Sequence, residues 1–153
     1  MDYGMLCAQA RSLAEAEGWY VALMANASAL LWEALPDINW AGFYLVRNGA
    51  LTLGPFQGKV ACILIPREKG VCGAAWRENR TMLVPDVHVF PGHIACDSAS
   101  NAEIVVPLRD EKGEVRAVLD IDSPTPNRFT EADREGLEMF AREIERAMKG
   151  LEA

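Results

Sequence analysis

Residues 38–46, Ile-Asn-Trp-Ala-Gly-Phe-Tyr-Leu-Val, lead through Asn48-Gly49 into residues 51–56, Leu-Thr-Leu-Gly-Pro-Phe. Both residues of an Asn-Gly pair tolerate positive φ, so the two β-prone runs beside it are directed back along one another. The chain is thereby committed to an antiparallel hairpin, and the remaining elements must cover or extend that sheet.

Before the hairpin, Leu13, Leu23, Met24, Leu30, Leu31 and Leu35 recur at near-helical spacing. Gly18 offers a break within this helical third, and Pro36-Asp37 ends it. After the hairpin, residues 61–65 read as a short strand, 70–78 as a short helix, 81–84 as a strand and 86–101 as a long loop. Residues 104–108 and 115–121 form a second strand pair around the turn-rich Asp110-Glu111-Lys112-Gly113. Thr130 suits a helix N-cap with Glu131 and Asp133 in the first turn, and Leu137, Phe140, Ile144 and Ala147 make an apolar stripe behind it. The expected fold is a single α+β domain over residues 1–153, a largely antiparallel central sheet bracketed by N-terminal and C-terminal helices.

A chain of 153 residues, half of them hydrophobic, can bury a substantial core. Its net charge of −7 and pI near 4.8 leave no basic footprint for nucleic acid. The amino terminus has Asp2 where a signal peptide carries basic residues, and no apolar run reaches the roughly 18 residues of a membrane span. A cytoplasmic protein without membrane partners is expected. In a reducing compartment its four cysteines are not a structural disulfide framework, so each is a buried hydrophobe, a metal ligand or a reactive thiol. No pair has the short gap of a zinc knuckle, which argues against a metal.

Cys96 lies in Pro91-Gly92-His93-Ile94-Ala95-Cys96-Asp97-Ser98, a loop composition that can aim backbone amides at a thiolate; burial as a small hydrophobe is the plainer reading. Cys72, at the expected start of a helix, sits where the dipole favours a thiolate, though Gly-Val-Cys-Gly-Ala-Ala also suits close packing. Cys62 alone reads as core. Strand alternation puts Asp120 and Asp122 on the face opposite Leu119 and Ile121, with carboxylates about 7 Å apart. The same alternation sets Glu103 and Val105 against Ile104, Val106 and Leu108. Such carboxylates bind a cation or an amine, or share a proton, unless they are simply solvated. Trp40 and Phe43, with Tyr44 beside them, offer an aromatic wall or core packing. His88 and His93 either donate hydrogen bonds near Cys96 or anchor its loop.

Several segments together carry a resemblance. They are Asn39-Trp40-Ala41-Gly42-Phe43-Tyr44, Gly54-Pro55-Phe56-Gln57-Gly58, Gly70-Val71-Cys72-Gly73, Gly92-His93-Ile94-Ala95-Cys96-Asp97, Ser100-Asn101-Ala102-Glu103-Ile104 and Val118-Leu119-Asp120-Ile121-Asp122-Ser123. Over residues 20–147 the chain resembles the GAF-domain free methionine-R-sulfoxide reductases.

That resemblance implies an enzyme that reduces free L-methionine (R)-S-oxide to methionine without a cofactor. It implies Cys96 as the attacking thiolate, oxidised to a sulfenic acid. Cys62 or Cys72 would then resolve that acid to a disulfide, and thioredoxin would reduce it. Glu103, Asp120 and Asp122 match the family's carboxylates around the substrate, and Trp40 matches the wall for the S-methyl group. The resemblance also implies a homodimer. Glu68 and Leu64 depart from the family pattern in the segments before Cys72, and Cys7 falls outside the shared motifs. The competing readings are a non-catalytic GAF module that senses a small ligand or redox state, and a zinc- or haem-binding regulator using His93 and the cysteines.

Overall fold

The computed structural model describes residues 1–16, 18–93 and 99–148, residue 147 by its backbone alone. Helices α1 (Tyr3–Ala16) and α2 (Tyr20–Ala34) precede the hairpin β1 (Trp40–Arg47) and β2 (Ala50–Gly58). Then come β3 (Leu64–Pro66), α3 (Gly70–Glu78), β4 (Met82–Val84), a 3-10 turn at Val87–Val89, β5 (Ala102–Arg109) and β6 (Val115–Ser123). Helix α4 (Glu131–Glu145) closes the order and runs into a second 3-10 turn, Arg146–Met148. All pairings in the six-stranded sheet β3-β2-β1-β6-β5-β4 are antiparallel.

The local signals act as expected at most points. Asn48 and Gly49 both hold positive φ, 51° and 78°, and the strands pair from Arg47–Ala50 outward. The Thr130 hydroxyl accepts from the Asp133 backbone N–H at 3.2 Å while the Asp133 carboxylate accepts from the Thr130 N–H at 2.9 Å, a reciprocal cap that starts α4. Helix α3 occupies the expected 70–78. Strand ends differ more widely. Residues 61–63 precede β3 rather than lying in it, β1 and β4 start later than expected, β2, β5 and β6 extend beyond the expected limits, and the 86–101 connection contains a 3-10 turn. Edge positions lack the periodic context that fixes a strand's interior, so such ends are poorly encoded locally.

The sheet separates two cores. On one face Ala41, Phe43, Ile104, Val106, Leu119 and Ile121 pack under α1, α2 and α4. Tyr3 holds the first and last of these helices together. Its hydroxyl donates to Asp133 at 2.7 Å, and its ring lies where a Cβ on Gly136 would come within 2.2 Å of Tyr3 Cγ. On the other face Trp40, Tyr44, Val105 and Val118 meet α3 and β3 in a smaller core that surrounds a pocket. Among the described residues no helix is long and apolar enough to cross a membrane.

Candidate active site

Register brings the polar groups of the second face together. Trp40 of β1 is opposite Asp122 of β6, which is opposite Glu103 of β5, so one row across three strands carries an indole and two carboxyl groups. The next row sets Gly42 beside Asp120 and Asp120 beside Val105. Trp40, Tyr44, Cys72, Glu103, Asp120 and Asp122 line one pocket, with Val60, Ala61, His93 and Ser100 among its other walls. Alternation along β5 and β6 therefore places Glu103, Asp120 and Asp122 as expected, and burial replaces the solvated-face alternative: Glu103 is 8% and Asp120 6% exposed.

Crowding in this small volume dictates protonation. Burial, then repulsion from Asp120 and Asp122, pushes the Glu103 carboxyl well above its ordinary range. Burial also raises Asp120, while hydrogen bonding with Glu103, Asp122 and Cys72 opposes that rise by favouring its anion. The neutral form is thereby favoured more strongly at Glu103 than at Asp120, whose anion those hydrogen bonds support. Asp120 Oδ1 is buried without a hydrogen-bond partner, which leaves an acceptor for something entering the pocket.

Cys72 sits in the first turn of α3 with Sγ 4.0 Å from Glu103 Oε2. Its environment reverses the expectation of a dipole-stabilised thiolate. Full burial, then the neighbouring negative charge led by Asp120, pushes the thiol well above its usual range, so it keeps its proton. Cys7 is a second free thiol, buried between α1 and α4 and remote from the pocket. Cys62 is disulfide-bonded. It is half-buried beside the pocket, and its carbonyl accepts the Tyr44 hydroxyl at 2.9 Å. Cys96 lies outside the described residues. The chain on either side of its loop is tied down: Gly70 N–H donates to Gly92 O at 2.8 Å, and Asn101 N–H donates to Ser123 O at 2.8 Å.

The structure divides the aromatics between the two alternatives open to them, wall and core. Trp40 stacks on Phe56 with centroids 5.0 Å apart and planes 14° from parallel, and on Tyr44 at 5.8 Å. Phe43 points to the opposite, helix-covered face. Strand alternation carries this distinction, because 40, 42 and 44 share one side and 43 takes the other. Gly42 permits the stack, since a Cβ there would lie 2.2 Å from Phe56 Cβ. Trp40 Nε1–H donates to Lys59 O at 3.1 Å, which fixes the indole against the segment leading to Cys62.

Tyr44, treated in sequence only as an aromatic neighbour, is the residue that grips that segment. His88 turns away to meet Asn101 Oδ1 at 2.8 Å through Nε2, whereas His93 reaches the pocket, where burial lowers its pKa. Glu68 and Leu64 are both exposed.

A family model described as the GAF domain matches residues 5–148. Free methionine-R-sulfoxide reductase of Escherichia coli is 52% identical over 137 residues, which cover 90% of this chain and 82% of that protein. The substrate complex of fRMsr from Staphylococcus aureus superposes with a TM-score of 0.91 at 49% identity, covering 96% of this chain and 95% of the other. The Neisseria meningitidis free methionine-R-sulfoxide reductase, also solved with its substrate, gives a TM-score of 0.92 at 42% identity, with coverages of 96% and 88%.

Proposed function

The chain belongs to the GAF-domain family, among its free methionine-R-sulfoxide reductases, and from that premise we propose how its pocket reduces free methionine (R)-sulfoxide to methionine. The observation that carries the reading is Glu103, its carboxyl pushed well above the ordinary range, set beside Asp120 and Asp122 in the pocket that Trp40 lines.

The S-methyl group rests against Trp40, and the ammonium of the free amino acid meets the Asp120 and Asp122 carboxylates. A peptide amide at that position supplies no charge to balance them, which restricts the site to free methionine sulfoxide. The Cys96 thiolate attacks the sulfoxide sulfur while Glu103 gives its proton to the sulfoxide oxygen. The S–O bond breaks, the oxygen passes to Cys96 as a sulfenic acid, and methionine leaves with the lone pair restored on its sulfur. A neutral Glu103 is what a departing oxygen requires, because oxide is a poor leaving group without a proton.

Of the two candidate resolving cysteines we assign Cys62. It already takes part in a disulfide, whereas Cys72 is buried and holds its proton. Condensation of Cys62 with the sulfenic acid expels water and forms the disulfide. A thioredoxin dithiol then reduces it by exchange. Exposed Val60, Ile63 and Leu64 flank Cys62 and give that reductant an apolar landing surface. Residues 1–153 act as one domain in the cytoplasm. Exposed Met5, Trp19, Trp32 and Met139 on the helical layer support a homodimer.

The test follows the separated R and S diastereomers of free methionine sulfoxide with dithiothreitol or thioredoxin as reductant. The R form alone is consumed. Survival of the R form, or equal consumption by a Cys96→Ser variant, overturns the reading.

A further inference from the structure

The same pocket holds a donor set that sulfoxide chemistry does not exhaust. Cys72 Sγ, one Glu103 oxygen and one Asp120 oxygen all lie within 4.8 Å of one another, on three buried residues. Tetrahedral zinc with bonds of roughly 2.3 Å to sulfur and 2.0–2.2 Å to oxygen needs donor separations of about 3.5 Å. Cys72 Sγ and Glu103 Oε2 stand at 4.0 Å, about half an ångström beyond that separation. Asp120 is 6% exposed, lines the pocket, and leaves Oδ1 without a partner, an acceptor that a cation would satisfy. His93 on the pocket wall supplies a nearby imidazole.

The chemistry of the set selects the ion. A thiolate among carboxylates suits a borderline-soft divalent metal and disfavours magnesium and calcium, which prefer oxygen donors alone. We infer that the reduced enzyme chelates one Zn2+ through Cys72, Glu103 and Asp120, and that this ion and the sulfoxide exclude one another. The Cys72 thiol proton and the Glu103 carboxyl proton both pass to solvent as the Zn–S and Zn–O bonds form. Chelation requires only the three side chains. The exclusion rests on the reductase reading, since Glu103 and Asp120 would have to serve both ligands. Three protein donors with a fourth position open give reversible binding, so zinc acts here as an inhibitor of turnover.

The experiment uses tag-free, reduced protein freed of thiol reductant, with Co2+ as the optical probe and Zn2+ in calorimetry. One equivalent of Co2+ is expected to produce a thiolate-to-metal charge-transfer band that survives Cys7→Ser and Cys62→Ser and disappears in Cys72→Ser. Asp120→Asn, with folding checked by circular dichroism, should weaken Zn2+ binding tenfold or more. In a Cys96→Ser background, which blocks turnover, saturating methionine (R)-sulfoxide should displace the Co2+ band. Absence of a band, or a band that persists in Cys72→Ser, overturns chelation whatever the activity. A Cys72-dependent band that coexists with bound sulfoxide overturns the exclusion. If the wild type binds metal through Cys72 yet leaves the R sulfoxide unreduced, chelation stands and the reductase reading alone falls.

Discussion

Glu103 and Asp122 face each other across adjacent antiparallel strands, a placement in which two ionised carboxylates would repel at close range. Asp120, one alternation along β6, adds a third acid to the same buried volume. Burial and the two neighbouring acids raise the Glu103 pKa well above the ordinary range, and its protonated form is the group assigned to the sulfoxide oxygen.

Glu103→Gln keeps the shape of the protonated side chain and removes its proton. Turnover of free methionine (R)-sulfoxide should fall by about 10²-fold or more, the usual contribution of a general acid. Stability should move the other way. Because the folded-state pKa is raised, the native protein is favoured while Glu103 holds its proton, and loses stability as pH climbs from the unfolded value of about 4.3 through the elevated one. Thermal melts from pH 5 to 9 should therefore show the variant more stable than wild type at the alkaline end. A parallel pH dependence in both proteins would remove Glu103 as the source.

The two pocket-side cysteines should separate kinetically. Cys62→Ser is expected to release one equivalent of methionine per chain and then stall with thioredoxin, the sulfenic acid being left unresolved. Cys72→Ser should retain thioredoxin-supported recycling. Rapid-quench measurement of the first turnover, set against steady-state rates, distinguishes them; recycling lost in Cys72→Ser and kept in Cys62→Ser would reverse the assignment.

Gly42→Ala forces a methyl group into Phe56 Cβ, 2.2 Å away, and displaces the ring that supports Trp40. The expected effect is a KM increase of about tenfold with a smaller loss in kcat, together with roughly 1–3 kcal/mol of destabilisation from overpacking. Steady-state kinetics and urea titration read the two effects independently. An unchanged KM would detach the stack from substrate binding.

Gly136→Ala probes the opposite side of the sheet. The added methyl group meets the Tyr3 ring, and the clash should outweigh the roughly 1 kcal/mol that alanine contributes to a helix interior. Net destabilisation of about 1–2 kcal/mol is expected in urea titration. A Tyr3→Ala background should abolish that cost in a double-mutant cycle, while kcat stays near wild type in both single variants.

Features set by local pattern were legible before any coordinates. Asn48-Gly49 specified its turn, Thr130 and Asp133 their reciprocal cap, and Asp120 and Asp122 their shared face, because each depends on residues within a few positions. Of the two alternatives open for Phe43, the structure realises core packing, as the alternation that sends it under the helices requires. Long-range relations were another matter. Nothing near Cys72 announces Glu103, which is 31 residues away in the chain yet comes within 4.0 Å of its sulfur. Similarly, the bond from Tyr44 to the Cys62 carbonyl depends on where the chain travels after β2 rather than on either residue's neighbours.

Strand β6 sends Leu119 and Ile121 into the helical core and Asp120 and Asp122 into the pocket. One ribbon of backbone therefore carries two messages in alternate letters, and each can be rewritten without erasing the other. Changing the acids of this strand and its neighbour β5 offers a route to new ligands on the same frame, because the letters that hold the helices remain untouched.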